Sequence, residues 1–361
     1  MSLYFTTRQK EILTGICIIV LFVGAFASAE IILRLEQRLN FGEVTVEKSS
    51  AFYIQESTKL RLPKPHATMG KISFNSLGFR GPELSSEVDK IRIGFLGSSI
   101  TFDPYVFDEA MTWPAVATTN LQNAFPGCSF EYFNAGVPGT GTEKVLLHYK
   151  ANVAKINADL VVLMTDDSNG VFNDLAKRQG VSLTKHSKKS ILAQYSLFWE
   201  KLEKNMDVER EKRLLVNKKS ALTYTEDSVT EFYRATMANL INEIKNDDAL
   251  PVILGYGQQY RPNNNESIDA LATAVYYMPY MAKDDFNVIS TFYNNANQQL
   301  AEKLNVPFIP WEYGVEGSAE NFKDSRHFSQ QGSLMLGRLI ASQLIGNQQF
   351  LDKVGECATN G

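Results

Sequence analysis

Histidine and cysteine are scarce in this chain of 361 residues, which holds only four histidines and three cysteines. The histidines lie far apart in the sequence, at His66, His148, His186 and His327. The cysteines and histidines do not show the short spacings that are typical of zinc sites. This scarcity argues against a multi-histidine metal centre, and we predict neither a bound metal nor a cofactor.

An excess of charge of either sign is also missing. Lys and Arg total 36 and Asp and Glu total 40, so the formal net charge is −4. No broad positive field would therefore attract nucleic acid. The sequence contains neither a Walker-type phosphate loop nor an internal repeat. A hydrophobic fraction of 44% and this length are enough for a large core. We predict a globular domain with no nucleic-acid partner.

The three cysteines leave two interpretations open. Cys17 lies inside an apolar run and is expected to pack there as a small apolar residue. Cys128 and Cys357 could form a disulfide if the domain is exported, but the sequence does not show that they are close in space. We favour two free or buried thiols.

Long apolar runs are confined to the N-terminus, where Ile12–Ala29 contains no charged residue. Ile31–Leu33 extends this run to a length that can span a membrane. Arg8 and Lys10 precede it and favour a cytoplasmic N-terminus. We therefore predict a single-pass membrane anchor over residues 1–33, with the rest of the chain periplasmic or extracellular. The triplet at 27–29 also fits a signal-peptidase site, and a cleaved signal would place the domain on the same side.

The remaining chain divides into a neck and lead-in over 34–89, a large domain over 90–347 and a tail over 348–361. Within the domain, short apolar runs alternate with helical patterns, which predicts an α/β fold with a parallel sheet covered on both faces. The predicted strands are Ile91–Leu96, Phe130–Phe133, Leu160–Met164, Pro251–Gly255 and Val306–Ile309. The predicted helices are Trp113–Ala124, Glu143–Asn157, Thr230–Lys245, Ile289–Leu304 and Gln330–Ile345.

A charged segment over about 172–225 interrupts this alternation, and we interpret it as an insertion. It is rich in basic residues, and Glu200–Arg213 has a mixed-charge helical pattern. A solvated helical hairpin is the favoured interpretation. The alternative is a basic surface for anionic glycans or lipid headgroups. The basic residues concerned are Lys177, Arg178, Lys185, Lys188 and Lys189.

Two short segments carry the chemistry. The turn 97–101 follows the first predicted strand and contains Ser99, which can present its hydroxyl at the end of a parallel sheet. Far downstream, His327 can accept the proton of that hydroxyl, and Asp324, three residues earlier, can hold the imidazole tautomer. We predict that these three residues form a catalytic triad. Ser98 is the alternative nucleophile.

The order of Ser99, a glycine in a second block, an asparagine in a third and Asp324-x-x-His327 resembles the SGNH/GDSL hydrolase superfamily over roughly residues 90–345. The segment Asn75–Gly81 is similar to membrane-tethered bacterial members that are linked to modification of cell-surface polysaccharide. The resemblance implies a flavodoxin-like three-layer fold with strand order 2-1-3-4-5. The residue directly before the nucleophile is Asp in the family and Ser98 here.

An acyl-transfer site also needs hydrogen-bond donors for the oxyanion. The backbone N–H groups of Ser99 and Gly136 are predicted donors. The resemblance implies an asparagine amide as the third donor, for which Asn169 is the candidate. Asp166 and Asp167 occupy nearby positions, but an ionised carboxylate cannot donate a hydrogen bond.

These residues predict a serine esterase that removes an acyl group, expected to be acetyl, from a cell-surface carbohydrate or lipid through an acyl-serine intermediate. An exopolysaccharide O-acyltransferase with the same triad is one alternative. A non-catalytic carbohydrate-binding or assembly module is another, because the family's usual Gly-x-Asn-Asp is missing from the third block and Ser98 replaces the family's Asp. A phosphate or nucleotide binder of flavodoxin type accounts less well for the Asp-x-x-His segment.

Overall fold

The computed structural model describes residues 6–41, 53–56, 60–87, 89–182, 190–215, 217–261 and 267–358. Its first element is helix α1, Thr7–Phe41, which continues without a break through the predicted anchor and into the predicted neck. Most of its large apolar side chains are exposed. Over Thr7–Asn40 the helix is long and apolar enough to cross a membrane, and it contains an 18-residue stretch with a mean hydropathy of 2.6. A signal sequence near the N-terminus would meet the same criterion.

The lead-in contains two short antiparallel hairpins rather than only irregular chain. Strand β1, Tyr53–Glu56, pairs with β2, Leu60–Pro63. Strand β3, Thr68–Met69, pairs with β4, Ile72–Ser73. Arg80 then forms an antiparallel bridge with Asn134 in the main sheet. The lead-in is therefore attached to the large domain by backbone hydrogen bonds.

The large domain is built on a five-stranded parallel sheet. Its strands in chain order are β5 (Ile91–Gly97), β6 (Phe130–Gly136), β7 (Leu160–Met164), β8 (Leu250–Leu254) and β9 (Phe308–Ile309). The spatial order is β6-β5-β7-β8-β9. Numbered within the sheet this order is 2-1-3-4-5, which confirms the predicted fold class.

Helices cover both faces of the sheet. In chain order they are α2 (Ser99–Phe102), α3 (Trp113–Ala124), α4 (Thr142–His148), α5 (Ser168–Arg178), α6 (Ile191–Tyr195), α7 (Leu197–Leu215), α8 (Glu226–Asn246), α9 (Ser267–Tyr277), α10 (Lys283–Leu304), α11 (Gln330–Ile345) and α12 (Gln348–Val354). The predicted helix Glu143–Asn157 is divided into α4, a π turn and a 3-10 turn. Helices α5, α6 and α7 occupy the described part of the predicted insertion, and Lys185, Lys188 and Lys189 lie outside the described residues.

Two apolar cores lie on opposite faces of the sheet because neighbouring strand residues point to opposite sides. Leu96 and Val161 belong to the core that includes α4, α8 and α10. Phe95 and Val162 belong to the core that includes α3 and α11. Phe350 of α12 is buried in this second core, so the predicted C-terminal tail packs on the domain in its helical part.

Cys128 and Cys357 form a disulfide, which corrects the favoured interpretation of two thiols. Cys128 lies between α3 and β6, and Cys357 follows α12. Both side chains belong to the α3 and α11 face, so chain topology brings together residues that are 229 positions apart. Cys17 is free and exposed on α1.

Candidate active site

The site lies at the carboxyl edge of the sheet, where three strands end side by side. Gly97 of β5 is in register with Gly136 of β6 and with Met164 of β7. The loops that follow these strands therefore converge. A Cβ atom on Gly97 would lie 2.0 Å from the Met164 carbonyl oxygen. Only glycine lets the chain turn this tightly into the next helix.

Ser99 is the first residue of α2, directly beyond that turn. Its Oγ lies 2.8 Å from Nε2 of His327. The contact joins the two predicted partners, which are 228 positions apart in the sequence. Ser98, the alternative nucleophile, precedes the helix and is 7% exposed. The histidine ring is thus hydrogen-bonded to Ser99 and not to Ser98.

Asp324 holds the other side of the histidine ring. Its Oδ2 and Oδ1 lie 2.8 Å and 3.0 Å from His327 Nδ1. Oδ1 also accepts hydrogen bonds from the main-chain N–H groups of Arg326 and His327. Burial raises the pKa of the Asp324 carboxyl, but these hydrogen bonds outweigh it and lower the pKa to about 2. The carboxylate is therefore ionised and places the ring proton on Nδ1, which leaves Nε2 free to accept from Ser99.

A cavity of about 310 Å³ opens in front of Ser99 and His327. Its walls come from the loops after β5, β6 and β7 and from the His327 loop. They are mostly small or polar: Ser98, Ser99, Ile100, Gly139, Thr140, Gly141, Asp166, Asp167, Gly170, Arg326 and His327. This composition suits a polar substrate with a small acyl group better than a long hydrocarbon chain.

Tyr105 stands beside the cavity and has no counterpart among the predicted residues. Its ring lies edge-on to the His327 ring, with 5.6 Å between centroids. Its hydroxyl lies 3.4 Å from Asp324 Oδ2. Burial, followed by the charge of Asp324, raises the pKa of Tyr105 to about 12, so the phenol keeps its proton. Tyr105 therefore shields the Asp324–His327 pair on one side.

Gly136 is not placed for its predicted role. It is the last residue of β6, and its N–H donates to Asn134 Oδ1 at 2.9 Å. Its Cα faces the backbone of α2, since a Cβ there would lie 2.4 Å from Phe102 N. Gly139, three residues later, lines the cavity with a φ of +75°, and a Cβ on it would meet nothing within 4 Å. Gly141 also lines the cavity, but a Cβ there would lie 2.2 Å from Asp167 Oδ1, so Gly139 is the more open of the two glycines to a ligand.

The loop after β7 contains the predicted third donor, Asn169. Asn169 lies in the first turn of α5, but its side chain is outside the described part of the chain. Asp167 Oδ1 accepts from the N–H of Thr142 at 2.7 Å, and its Oδ2 is buried without a partner among the described residues. Burial raises the pKa of the Asp167 carboxyl.

Asp166 has a structural partner that the sequence pattern does not reveal. Its Oδ1 lies 3.1 Å from Nη1 of Arg326, and both side chains are nearly buried. Nη2 of Arg326 donates to Ser168 Oγ at 2.7 Å and also contacts the Tyr256 hydroxyl. Arg326 thereby fixes the loop that carries Asp324 and His327 to the loop after β7.

Arg80, from the lead-in, stabilises the turn at 97–101 and the helix that follows it, here called the Ser99 turn. It is 1% exposed, and its guanidinium donates to the carbonyl oxygens of Phe102, Asp103 and Val106. Its Nε donates to Glu109 Oε2 at 2.8 Å. These carbonyls end α2 and begin the following loop, where backbone groups lack helical partners. Arg80 therefore satisfies the buried end of the helix that begins with Ser99.

Two further side chains hold the same turn. Asn134 Nδ2 donates to the Thr101 carbonyl at 2.8 Å. Asp103 is fully buried and accepts from Ser333 Oγ of α11 and from the Trp113 N–H. Burial raises the pKa of Asp103 to about 7, although the Ser333 hydrogen bond and the charge of Arg80 oppose the shift. These contacts connect the Ser99 turn to β6 and to α11.

No family model matches the chain, and no curated protein matches it. Several solved structures are similar. An acetylxylan esterase from Geobacillus stearothermophilus has 17% identity and a TM-score of 0.42, over 71% of this chain and 94% of that one. A lipase/acylhydrolase from Enterococcus faecalis has 19% identity and a TM-score of 0.41, over 70% and 94%. A putative lipolytic protein of the G-D-S-L family from Desulfitobacterium hafniense has 12% identity and a TM-score of 0.39, over 70% and 99%.

Proposed function

We propose that this protein is a serine-dependent esterase whose nucleophile is Ser99. The observation that carries the proposal is the chain of contacts from Asp324 through His327 to Ser99 Oγ, at 2.8 Å on each side of the ring. Ser99 Oγ attacks the acyl carbonyl and His327 Nε2 takes its proton. Asp324 stabilises the imidazolium that forms. His327 returns the proton to the leaving alcohol, and water then cleaves the acyl-serine by the reverse sequence.

The developing oxyanion would be stabilised by backbone N–H groups at the cavity wall. Ser99 N–H is at the start of α2, where helix amides lack intrahelical acceptors. Gly139 N–H replaces Gly136 as the proposed second donor, because Gly139 faces the cavity. Asn169 remains the proposed third donor. Removal of one such donor typically costs about a hundredfold or more in turnover.

We further propose that the substrate is an acylated, most simply acetylated, carbohydrate or lipid headgroup outside the cytoplasm. The polar walls and the volume of about 310 Å³ favour a small acyl group. The exposed apolar helix α1 favours a membrane anchor, and the Cys128–Cys357 disulfide favours an oxidising compartment.

The test is covalent labelling of the full-length protein, in detergent or membranes, with a fluorophosphonate probe. Labelling and hydrolysis of an activated acetyl ester should both be lost in Ser99→Ala and in His327→Ala. Ser98→Ala is the matched control, since it removes a neighbouring hydroxyl that is not bonded to His327, and it should retain labelling. The thermal unfolding of each variant should stay close to that of wild type.

Each other result points to a different function. Labelling that survives in Ser99→Ala and disappears in Ser98→Ala would move the nucleophile by one residue. No labelling of a folded wild-type protein would favour a carbohydrate-binding or assembly module. Labelling with acyl transfer to an added saccharide in preference to water would identify an O-acyltransferase with the same triad.

A further inference from the structure

Helix α1 does not leave the domain freely but contacts the start of α7. The Phe26 and Phe198 rings meet edge-on, with 5.2 Å between centroids. The Glu30 carboxylate accepts from the N–H groups of Leu197 and Phe198, at 3.1 Å and 2.8 Å, and from Ser196 Oγ at 2.9 Å. Glu30 thus satisfies the free amides at the N-terminus of α7.

Arg34, one turn further along α1, extends this junction. It pairs with Glu30 and donates from Nη2 to the Tyr195 carbonyl at 2.9 Å. The carbonyl of Tyr195 is at the end of α6, so α6 and the start of α7 are attached to the same stretch of α1. Phe26 and Arg34 are about 12 Å apart along the helix axis. Lys201 of α7 also pairs with Glu36 of α1 at 3.9 Å, so the domain is attached to α1 over nearly three turns.

That stretch coincides with the end of the uncharged run. No charged residue occurs between Ile12 and Ala29, and Glu30 is the first charged residue after the run. If α1 spans a bilayer, the boundary between hydrocarbon and headgroups lies close to Glu30. The junction with α6 and α7 then lies at the same depth.

Helix α6 exposes an apolar surface at this depth. Ile191 is 75% exposed, Leu192 57% and Tyr195 78%. Ile191 and Tyr195 are four residues apart and share one face of the helix. Exposure of three large apolar side chains on one short helix is unusual for a surface that faces only water. Tyrosine is enriched at the level of the lipid headgroups, because its ring is apolar while its hydroxyl can stay hydrated.

We propose that α6, through Ile191, Leu192 and Tyr195, is a membrane-contact surface that lies in the interface of the bilayer spanned by α1. The inference rests on the proposed anchoring but not on the esterase chemistry. The surface gives the domain a second contact with the lipid beside α1. It therefore holds the domain against the bilayer instead of letting it rotate about the anchor.

The experiment uses the full-length protein reconstituted into phosphatidylcholine vesicles, with or without bromine atoms on the acyl chains near the headgroups. Bromine quenches tryptophan fluorescence only at close range. Ile191→Trp introduces a probe on the proposed surface, and Leu192→Trp is a second probe. Ile345→Trp is the matched control, because Ile345 is 37% exposed at the end of α11, on the opposite face of the sheet.

We expect the added fluorescence of Ile191→Trp and Leu192→Trp to be quenched roughly twofold or more relative to that of Ile345→Trp, as for side chains at the acyl boundary. Equal quenching at all three positions, with the protein still in the vesicles after a carbonate wash, would overturn the inference and leave the anchor intact. Loss of the protein from washed vesicles would overturn both. Unquenched probes together with a cross-linked dimer that Ile191→Asp abolishes would assign the surface to a second copy of the chain. Fluorophosphonate labelling of Ser99 reports separately on the esterase proposal.

Discussion

Replacement of Arg80 should destabilise the domain and weaken catalysis, although Arg80 is not part of the triad. Arg80→Met keeps most of the side-chain volume, including the packing over the Phe102 ring, but removes every donor. The carbonyl oxygens of Phe102 and Val106 then lose their only donor among the described residues, whereas that of Asp103 keeps the N–H of Val106 at 3.3 Å. At about 1–2 kcal/mol for each of these two unsatisfied buried acceptors, the loss in unfolding free energy is about 2–4 kcal/mol. The loss of the ion pair with Glu109 adds little to this free energy, because the Glu109 side chain is 30% exposed and can be hydrated instead.

For a domain of this size, that loss corresponds to a fall in melting temperature of roughly 4–7 °C. Turnover on a soluble activated ester should fall about tenfold to a hundredfold at temperatures where the variant is folded, because α2 begins with Ser99 and small displacements of a nucleophile are costly. Arg80→Lys should lie between wild type and Arg80→Met, since one ammonium group cannot serve all three carbonyls at the positions of a planar fork.

The assay is thermal unfolding of the purified full-length protein, followed by circular dichroism, together with ester hydrolysis at 25 °C. Arg234→Met is the matched control, because Arg234 lies on α8 and pairs with Asp227, whose side chain is 79% exposed. Such a surface pair contributes at most about 1 kcal/mol. A melting temperature of Arg80→Met within about 2 °C of the control would refute the reasoning, since the Phe102 and Val106 carbonyls would then be satisfied without Arg80.

Four other substitutions test the site and its support. Asp324→Asn should lower turnover by about ten-thousandfold, because the ring loses control of its tautomer, and steady-state kinetics with a wild-type rate would show that Asp324 is only a loop residue. Asn169→Ala should lower turnover about a hundredfold while Asp167→Asn should not, and the reverse result would reassign the third donor. Asp103→Asn should flatten the pH dependence of stability. The pKa of Asp103 is raised to about 7 in the folded protein, so protonated Asp103 contributes stability that is fully present below about pH 4. That stability is lost as the pH rises through 7. Denaturant titrations at pH 5 and pH 8 that give the same change for wild type and variant would contradict this.

Much of the fold follows from short apolar runs and helical periodicity. The bounds predicted for Trp113–Ala124, Leu160–Met164 and Gln330–Ile345 agree with the structure, because turn-forming or polar residues flank each of these segments. The second strand does not follow this rule. It continues through Asn134 and Ala135, residues that do not favour strands, because β5 offers paired backbone groups as far as Gly97.

The error in the predicted length of β6 explains why the sequence favours Gly136 over Gly139 as the second oxyanion donor. With the strand predicted to end at Phe133, Gly136 falls in the loop beyond it. In the structure Gly136 is the last strand residue, and the loop moves three positions to Gly139. Sequence spacing alone could not reveal this, since Gly136 lies two residues from both Asn134 and Pro138, and Gly139 follows Pro138 directly. A proline between them, Pro138, is a signal that the strand has already ended.

The pairing of Ser99 with Asp324 and His327 was accessible from sequence because each member has a chemically distinctive side chain. The supporting contacts were not. Arg80 acts on main-chain carbonyls, which every residue carries and no pattern marks. Arg326 meets Asp166 only because two loops from distant parts of the chain end at the same sheet edge. Such contacts depend on the fold and appear only once the topology is known.

Because of the disulfide, the number of free thiols reports which cellular compartment the protein has reached. Cys17, exposed on α1, is the free cysteine, whereas Cys128 and Cys357 are paired. A molecule that has reached an oxidising compartment should therefore react with one equivalent of a thiol-alkylating reagent after denaturation, and one retained in the reducing cytoplasm with three. Because Cys357 follows Cys128 by 229 positions, the bond can close only after the chain through Cys357 has been translocated. A count of one thus marks export of the chain through Cys357 as well as orientation.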